Sequence, residues 1–586
     1  MIRLRSIAAL AAVLALSQPA FSQTAGEAAG ANALISYRSI FHPVEADNGM
    51  VAAQEKRAAE VGRDILRQGG NVVDAAVATG FALAVTHPQA GNLGGGGFML
   101  IKFADREDVI AIDYREVAPA AATRDMFLEE KGDVDNMRAR LSHLSSGVPG
   151  SVMGLTAALE KYGSMPLGAV MAPAIRLAEK GFPVSGALAD ALGEYSGRFA
   201  RDPSSMAYFT RGGAPYRAGD ILVQKDLAGT LKAIAKHGAR GFYEGAVADR
   251  IVAEMKSDGG LITHDDLKSY KAVEREAVRG KFRGYDIISM PPPSSGGVHL
   301  IEMLNVLEGY DLTAMGHNSA DYLGLLVETM RRAYADRSAY LGDPDFFDVP
   351  VSSLTSADYA LAIRKKIDPR RATKSSDVAP GLGPIGESEQ TTHYSVMDRN
   401  GNAVAVTTTL NFTFGSSYSV DGAGFLLNNE MDDFSAKPGT PNGYGLIGGQ
   451  ANEIGPMKRP LSSMTPTIVV KDGKAVFATG TPGGSTIINI VLQNVLNILE
   501  FGMNPMQANA SPKIHHQWQP DRITPEPGIS VDTIALMEKR GFIFSRSETG
   551  ALQQRPMGRT NTVMLHDGTL LGAADPREPD GGVGAF

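Results

Sequence analysis

The sequence predicts a mixed α/β protein in which helices dominate the first part of the chain and strands dominate the last part. Residues 150–280 are rich in Ala, Leu, Lys and Glu at helical spacing, with Gly and Pro between the runs. From Thr391 onwards the pattern changes to strand-like segments such as TTHYSVMD and NAVAVTTTL. A chain of 586 residues exceeds the ~250–300 residues beyond which a single core usually splits. We therefore expect either two domains or one large layered fold.

The N-terminus has the features of a secretory signal peptide. Arg3 and Arg5 precede an apolar run over residues 7–16, and the small residues up to Ser22 suit a signal peptidase. The alternative is a membrane anchor, but this run is shorter than the ~20 apolar residues that a spanning helix needs. We predict that residues 1–22 are removed and that the protein is exported, to the periplasm or to the medium.

Helices, a glycine-rich turn and strands are predicted next. A first helix is predicted over residues 50–68, and a second, capped by Asn71 and Asp74, continues to residue 85. A run of glycines over residues 91–97 then leads into strands at 98–103 and 109–114. A dinucleotide-binding loop has the opposite order, with a strand before its glycines and a helix after them. The order found here excludes a Rossmann-type nucleotide site.

The composition excludes several classes of function. The chain has no cysteine, so disulfides, thiolate catalysis and Cys-ligated metals are excluded. The histidines form no HExxH motif, and adjacent His515 and His516 would face opposite sides of a strand. We therefore predict no metal and no cofactor. The net charge of -8 becomes more negative when Arg3 and Arg5 are removed, which disfavours nucleic acid as a partner.

A nucleophile is predicted where a linker meets the first strand of the second part. Residues 363–389 lose helical periodicity and collect Lys, Arg, Ser, Gly and Pro, which is typical of an exposed, protease-accessible segment. Cutting the bond after Gln390 would make Thr391 an amino terminus. A threonine hydroxyl needs a base, and the freed α-amine, with a pKa near ~8, supplies one on the same residue.

The hairpin that begins at Thr391 predicts a partner for its hydroxyl. A three-residue loop with Gly401 in the left-handed conformation places Thr409 opposite Thr391. A two-residue loop would place Leu410 there instead. We predict the first register because it brings two hydroxyls together.

A second hairpin, over residues 466–470 and 475–479, is followed by the segment GTPGGS and by an apolar helix. The first turn of a helix offers free backbone N–H groups, and glycine leaves them open to approach. Gly483 and Gly484 are therefore predicted to bind an oxyanion. The alternative is that the two glycines only form a turn.

Four ordered segments resemble the gamma-glutamyltransferases (gamma-glutamyl transpeptidases), a family of Ntn-hydrolases. These segments are TTHYSVMD, LLNNEMDDFS, KRPLSSMTPTIVV and GTPGGS, and DYRE, SGVPG and PPPSSGG add agreement in the first half. The resemblance runs from about Ala46 to the C-terminus. It implies a four-layer αββα sandwich formed jointly by two subunits, made as a precursor that cuts itself between Gln390 and Thr391. The large subunit would comprise residues 23–390 and the small subunit residues 391–586.

The resemblance also implies a reaction. Thr391 would attack the γ-carbonyl of glutathione or another γ-glutamyl compound, and water or an acceptor amino acid or dipeptide would resolve the acyl ester. The α-amine would be the general base, Thr409 would orient the nucleophile, and the amides of Gly483 and Gly484 would hold the oxyanion.

The matching positions supply groups for an amino-acid zwitterion, because carboxylates favour arginine and hydroxyls while ammonium groups favour carboxylates. The implied contacts are Arg115, Ser462 and Ser463 for the α-carboxylate, and Asn411, Glu430 and Asp433 for the α-ammonium. A lid loop over residues 438–449 would bring Tyr444 over the bound group.

Taken singly, these residues have structural explanations as well. Arg115 could pair with Glu116 or Asp113, and the two serines could be turn residues. His393 is expected only to support the site by packing or hydrogen bonding. The joint occurrence of the motifs favours the functional interpretation.

Three other functions are compatible with parts of this pattern. On the same scaffold, a glutaryl-cephalosporin acylase or a poly-γ-glutamate transpeptidase would fit, but the three ammonium contacts favour γ-glutamyl substrates, and a lid argues against a polymer. An inactive periplasmic protein that binds amino acids or peptides is the alternative from another class. That alternative is disfavoured because Thr391, Thr409 and both glycines are retained.

Overall fold

The structure is a computed structural model that describes residues 40–379 and 391–586. The predicted signal peptide and Gln390, which forms one side of the predicted cleavage site, lie outside the described residues.

The elements of the described chain follow in order. The strands are β1 (Val44–Ala46), β2 (Gly49–Ala53), β3 (Gly96–Lys102), β4 (Val109–Tyr114), β5 (Phe182–Pro183), β6 (Ile221–Leu222), β7 (Val273–Glu276), β8 (Val278–Phe282), β9 (Tyr285–Ser289), β10 (Thr392–Asp398), β11 (Ala403–Thr409), β12 (Thr467–Lys471), β13 (Lys474–Gly480), β14 (Ile514–His515), β15 (Thr524–Pro525), β16 (Asn561–His566), β17 (Thr569–Ala574) and β18 (Gly582–Ala585). The helices are α1 (Lys56–Arg67), α2 (Val72–Thr86), α3 (Asn136–Arg140), α4 (Ser151–Tyr162), α5 (Leu167–Lys180), α6 (Gly186–Phe199), α7 (Pro203–Phe209), α8 (Lys225–His237), α9 (Arg240–Tyr243), α10 (Gly245–Ser257), α11 (His264–Ser269), α12 (Gly296–Leu307), α13 (Leu312–Met315), α14 (Ala320–Tyr340), α15 (Val351–Leu354), α16 (Ala357–Arg364), α17 (Ile487–Leu499), α18 (Pro505–Ala510) and α19 (Val531–Lys539).

Two seven-stranded antiparallel sheets form the centre of the molecule. The catalytic sheet, as we name it here, has the strand order β18-β2-β10-β11-β3-β4-β7, and the second sheet has the order β1-β17-β16-β13-β12-β9-β8. The sheets face each other through β10, β11 and β2 on one side and β13, β16 and β17 on the other. Helices α1, α2 and α4 pack on the outer face of the catalytic sheet, and α12, α17 and α18 pack on the outer face of the second sheet. The predicted four-layer αββα sandwich is confirmed.

Alternation along the strands explains why the catalytic sheet is buried on both faces. Val404 and Val406 of β11 belong to the core under α1 and α2, whereas Ala403 and Ala405 belong to the core between the sheets. Nearly all residues of β10 and β11 are buried, so both layers can close over them.

Each sheet takes strands from both sides of residues 380–390. In the catalytic sheet, β10 and β11 lie between β2 and β3, and β18 lies on the other side of β2. The two parts of the chain are therefore not separate domains, as the predicted joint formation of the sandwich requires.

Two predicted elements differ from the structure. Residues 49–53 form strand β2 rather than the start of a helix, because they pair with β10 and β18 on both sides. A short apolar run does not distinguish a buried strand from a helix, and α1 begins only where Glu55 accepts from the N–H of Ala58.

The second difference is in the predicted linker, part of which is anchored. Ser375 is fully buried, and its N–H donates to Asp521 Oδ2 at 2.7 Å. The indole N–H of Trp518 donates to the carbonyls of Ser375 and Val378. The prediction of an exposed linker is therefore wrong for Ser375, whereas Ser376 and Asp377 beside it are exposed.

Candidate active site

A pocket of about 280 Å³ opens where β10 begins and β11 ends. It brings together residues that are far apart in the sequence, and most of the predicted site residues line it. The lining comprises Arg115, Arg337, Thr391, Thr409, Asn411, Glu430, Asp433, Tyr444, Leu446, Ser462, Ser463, Met464, Gly484 and Ile487. Of the predicted site residues in the described chain, only Gly483 is outside this lining, and it directly precedes Gly484.

The predicted hairpin register is confirmed. Thr392 pairs with Thr408 and Met397 pairs with Ala403, so Thr391 comes opposite Thr409. Gly401 has φ +85°, the left-handed conformation that the three-residue loop requires. The Thr409 hydroxyl also accepts from the N–H of Asn411 at 2.8 Å.

The glycine run before β3 permits close approach to the end of β11. A Cβ at Gly95 would lie 1.9 Å from the carbonyl oxygen of Thr409, and one at Gly94 would lie 2.0 Å from that of Leu426. Any larger residue would displace backbone at the pocket. The glycines that do not fit a nucleotide loop are thus explained by packing.

Arg115 lies at the centre of a buried carboxylate cluster. Its guanidinium contacts Glu430 and Asp433, and Glu116 Oε2 lies 3.6 Å from Nη1. Its Nε donates to the carbonyl of Pro460 at 3.2 Å. Arg115, Ser462 and Ser463, which were predicted to bind an α-carboxylate together, all line the pocket, and the guanidinium is bonded to the acidic residues. The pairing with Glu116 is found in the interior, not on a surface turn.

The protonation of this cluster follows from its burial. Burial raises the pKa of Glu430 well above its ordinary value and the pKa of Glu116 to about 7, and the positive charge of Arg115 only partly opposes both shifts. Burial would lower the pKa of Arg115, but attraction to the acids outweighs it and raises that pKa. The guanidinium stays charged, whereas the carboxyls are not all ionised at neutral pH.

Two buried acceptors of the pocket have no hydrogen-bond partner among the described residues. They are Asn411 Oδ1 and Glu430 Oε2. The amide nitrogen of Asn411 donates to the carbonyl of Asn429 at 2.9 Å, which leaves its oxygen available. Buried acceptors without partners cost free energy, so this arrangement fits a ligand that donates hydrogen bonds.

Asn428 explains why the LLNNEMDDFS and SGVPG motifs occur together. Its side-chain nitrogen donates to the carbonyls of Gly94 and Gly147, and its oxygen accepts from the N–H groups of Gly147 and Glu430. One amide therefore fixes three segments around the pocket.

A second arginine was not predicted from the sequence. Arg337 of α14 is buried, lines the pocket, and donates from Nη2 to Ser463 Oγ at 3.2 Å. No motif surrounds this residue, and three arginines occur in the same helix, so the sequence offered no signal that distinguishes it.

The predicted oxyanion turn precedes α17. Gly483 has φ +137° and Gly484 has φ +52°, so both need the conformational freedom of glycine. The Gly483 carbonyl accepts from both the N–H and the hydroxyl of Thr486, and Tyr334 OH donates to the carbonyl of Ser485. These bonds hold the turn with Gly484 at the pocket.

The lid loop is closed over the pocket in the structure. Tyr444 OH donates to the carbonyl of Asn411, and its ring stacks on Phe412 with centroids 4.9 Å apart. The N–H of Gly443 donates to Asp432 Oδ2 at 3.0 Å, and Asp432 also accepts from Arg140. Three contacts thus tie this loop to the site.

His393 supports the strand that carries Thr391. Its ring nitrogens form hydrogen bonds with the hydroxyls of Thr407 and Ser395, both at 2.9 Å. Burial lowers the pKa of His393 to about 3, so the imidazole is neutral. These contacts match the supporting role predicted for it.

Within residues 40–379 and 391–586, no group of three or more His, Asp and Glu side chains is arranged to hold a metal ion. The same residues contain no helix with the length and apolar character of a membrane span.

Comparison with known proteins relates this geometry to a family. A family model described as Gamma-glutamyltranspeptidase matches residues 58–585. The chain is 53% identical to the "Glutathione hydrolase proenzyme" of Escherichia coli (strain K12), over 92% of each chain. It is 46% identical to the protein of the same name from Pseudomonas sp. (strain A14), over 92% of this chain and 94% of that one.

Solved structures agree with this assignment. The cephalosporin acylase from Bacillus halodurans matches with a TM-score of 0.82 and 28% identity, over 94% of this chain and 98% of the other. A chain of Helicobacter pylori gamma-glutamyltranspeptidase matches with a TM-score of 0.55 and 49% identity, over 56% of this chain and 95% of the other. The family model spans nearly all of the described residues, including every residue of the pocket. The chain is a member of the gamma-glutamyltranspeptidase family.

Proposed function

We propose that the protein is an autoprocessed gamma-glutamyltransferase with glutathione hydrolase activity. Its donors would be glutathione and other γ-glutamyl compounds, and its acceptors would be water, amino acids or dipeptides. Membership of the family and the names of the relatives support this reaction. The finer assignment depends on the chemistry of the pocket.

The observation that carries the substrate class is the set of unpaired acceptors beside charged groups. Asn411 Oδ1 and Glu430 Oε2 have no partner in the described chain, and Asp433 lies in the same pocket. An α-ammonium group donates three hydrogen bonds and carries the charge that these oxygens favour. Ser462 and Ser463 supply hydroxyls for an α-carboxylate. A γ-glutamyl group presents both functions at one carbon.

The proposed acyl transfer uses Thr391 as the nucleophile. Its hydroxyl attacks the γ-carbonyl while its α-amine accepts the hydroxyl proton, and that proton passes to the leaving amine. The amides of Gly483 and Gly484 would hold the oxyanion, a contribution of roughly 3–4 kcal/mol per donor in comparable sites. Water or an acceptor amine then opens the ester and restores the hydroxyl.

The same hydroxyl would perform the maturation. Attack on the carbonyl of Gln390 forms an ester and breaks the peptide C–N bond, which frees the α-amine of Thr391. Water then hydrolyses the ester, which releases the carboxylate of Gln390 and restores the Thr391 hydroxyl. The word "proenzyme" in the relatives' names supports such processing. The products would be a large subunit of residues 23–390 and a small subunit of residues 391–586.

A glutaryl acylase is the second candidate, favoured by the likeness to the Bacillus halodurans acylase. A glutaryl group lacks the α-ammonium, so Asn411, Glu430 and Asp433 would have no ligand to bind. A polymer-directed transpeptidase is disfavoured by the closed lid, and an inactive binding protein is disfavoured by relatives that are named as hydrolases and acylases.

Hydrolysis of γ-L-glutamyl and glutaryl anilides by the purified protein separates these candidates. We expect a higher kcat/KM for the γ-glutamyl anilide. A preference for the glutaryl anilide would replace the proposed function by the acylase.

Export is also proposed, and it rests on the signal-peptide features of residues 1–22. Fractionation of the producing cells should place the protein outside the inner membrane, with a large subunit that begins at residue 23. Recovery of the full N-terminus in the cytoplasmic fraction would contradict export.

A further inference from the structure

Arg337 extends from the last turn of α14 into the pocket. It is 4% exposed. Its Nε donates to Ser295 Oγ at 2.9 Å, and its Nη2 donates to Ser463 Oγ at 3.2 Å. The guanidinium therefore connects the segment of Ser295 with the segment of Ser463, which are far apart in the sequence. Ser463 is one of the residues that line the pocket.

The contact with Ser295 extends to the second serine of the pocket. The hydroxyl and the N–H of Ser295 both donate to the carbonyl of Ser462 at 2.8 Å. Ser295 belongs to the PPPSSGG segment, to which the proposed mechanism assigns no part. This segment positions the two pocket serines. Arg337 is hydrogen-bonded to Ser295 of this segment and to Ser463 of the pocket.

The hydrogen bond from Arg337 leaves the proton of Ser463 available. Ser463 Oγ accepts from the guanidinium, and the hydroxyl donates to no atom of the described chain. Accepting a bond from a cation polarises a hydroxyl and makes it a stronger donor. Ser462 is arranged in the same way, since its Oγ accepts from the N–H of Met464 at 3.1 Å.

The two pocket arginines, Arg115 and Arg337, differ in the number of carboxylates at ion-pair distance. Arg115 has the carboxylates of Glu116, Glu430 and Asp433 within ion-pair distance. Arg337 has no carboxylate at that distance in residues 40–379 or 391–586. Burial lowers the pKa of Arg337 to about 10, which still leaves it protonated at neutral pH. A buried cation without a carboxylate at ion-pair distance is costly, and an anionic ligand would offset that cost.

We propose that Arg337 is a specificity-determining positioning residue for the α-carboxylate of the donor. It holds Ser463 in its donating orientation and supplies a positive charge that has no carboxylate at ion-pair distance among the described residues. Arg115 is bonded to Glu430 and Asp433, so it also positions the two carboxyls that are proposed to bind the α-ammonium. This inference rests on the proposed γ-glutamyl function and adds a residue to it.

The test compares two donors that differ only at the α-carboxylate. These are γ-L-glutamyl anilide and its analogue with an α-carboxamide. In Arg337→Gln, kcat/KM for the carboxylate donor should fall about 10- to 100-fold, mainly through KM, because a charge-assisted contact is lost. For the carboxamide donor, kcat/KM should change less than about threefold. Arg337→Lys keeps the charge without the fork and should lie between these limits.

A purely structural role of Arg337 would lower kcat/KM for both donors by the same factor, and that outcome would overturn the proposal. Arg331→Lys is the matched control, because Arg331 is buried in the same helix but is bonded to Glu328 and Asp521. It should leave the ratio between the donors unchanged. If Arg337→Gln does not mature into two fragments, the ratio in Arg337→Lys decides.

A double variant tests the route through Ser463. Because Arg337 acts on that hydroxyl, Ser463→Ala combined with Arg337→Gln should lose less than the product of the single losses. Independent losses would contradict positioning through Ser463. If the wild-type protein turns over neither donor, the proposed function is overturned and this inference with it. If the wild-type protein is active but Arg337→Gln leaves the ratio of kcat/KM between the two donors unchanged, the inference alone is overturned.

Discussion

Thr391 has an environment that fits both of its proposed tasks. It directly follows the predicted cleavage site and directly precedes β10, and it lines the pocket opposite Thr409. Its neighbour Thr392 has the same side chain, but the Thr392 hydroxyl is buried without a hydrogen-bond partner in the described chain. Alternation along a strand thus gives two adjacent threonines different surroundings.

This pair permits a controlled test of the nucleophile. Thr391→Ala should yield one uncut chain without turnover, because both scission and acyl transfer lose their hydroxyl. Thr392→Ala should mature and react normally, with a change in stability of about 1 kcal/mol or less. Denaturing electrophoresis and N-terminal sequencing of the small fragment provide the measurement. Two normal fragments from Thr391→Ala would refute the mechanism.

At the residue scale, the sequence predicted which residues would meet but not all of their pairings. Most of the predicted pocket residues could be found because they lie in motifs with their own chemistry. The contact of Arg115 with Glu430 and Asp433 could not be predicted. From the sequence, Arg115 is assigned to the α-carboxylate of the ligand and the two acidic residues to its α-ammonium, which gives no reason for the three side chains to pair with one another. Arg337 could not be found because its role arises only from tertiary contacts of α14.

Among the elements, turns were predictable and short apolar runs were not. The hairpin between β10 and β11 has its register set by one left-handed glycine, which the sequence displays. Strand β2 was predicted as helix because its five apolar or small residues carry no period. Its identity depends on neighbours that come from distant parts of the chain.

The turn before α17 gives a prediction for the oxyanion site. Gly483→Ala should lower kcat about 10²-fold or more with a smaller change in KM, because a Cβ there would lie 2.4 Å from Thr486 Oγ1 and would shift the amides. Gly473→Ala is the control, since Gly473 also has a positive φ, +79°, but has no atom near its Cβ and lies in the β12–β13 turn. Steady-state kinetics of both variants checks this. Equal kcat values would contradict the oxyanion role.

Helices α12 and α14 carry a buried acidic cluster behind the pocket. His299 Nδ1 lies 2.7 Å from Glu302 Oε2, and Tyr359 OH donates to Asp336 at 2.6 Å. Burial raises the pKa of Glu302 to about 8 and that of Asp336 to about 7, and it lowers the pKa of His299 to about 3.

These shifts predict how stability depends on pH. Carboxyls titrate near ~4 in unfolded chains, so the stability from their protonated folded forms is lost as the pH rises through 7 and 8. The contribution of neutral His299 is lost only as the pH falls below ~6.5. Between pH 6.5 and about 8, the free energy of unfolding should therefore fall, by up to about 1.4 kcal/mol per pH unit for each proton, and Tm should fall with it; above the folded pKa values the fall should level off.

Thermal unfolding of Glu302→Gln across that range measures the effect. The variant should show a shallower fall in Tm than the wild type, because one titrating group is gone. Glu308→Gln, at the exposed end of α12, should keep the wild-type slope. Identical slopes in Glu302→Gln and wild type would contradict the assignment.

For the whole molecule, the shared sheets determine what scission does. Strands β2 and β3 from before the proposed cut flank β10 and β11 from after it. The two fragments should therefore remain together in native size-exclusion chromatography and separate only in denaturant.

Refolding provides the corresponding measurement. The recovery of mature enzyme from denaturant should depend on protein concentration, because two chains must meet. The uncut Thr391→Ala chain should refold with a yield of native structure that does not depend on concentration. Separation of the mature fragments without denaturant would contradict the shared sheets.

The pairing of β18 with β2 has a consequence for biosynthesis. Residues 582–585 lie beside residues 50–53 in the catalytic sheet, so this sheet is incomplete until the ribosome has made its last strand. A nascent chain that already includes Thr391 still has one edge of β2 uncovered. We therefore expect self-cleavage after translation rather than during it.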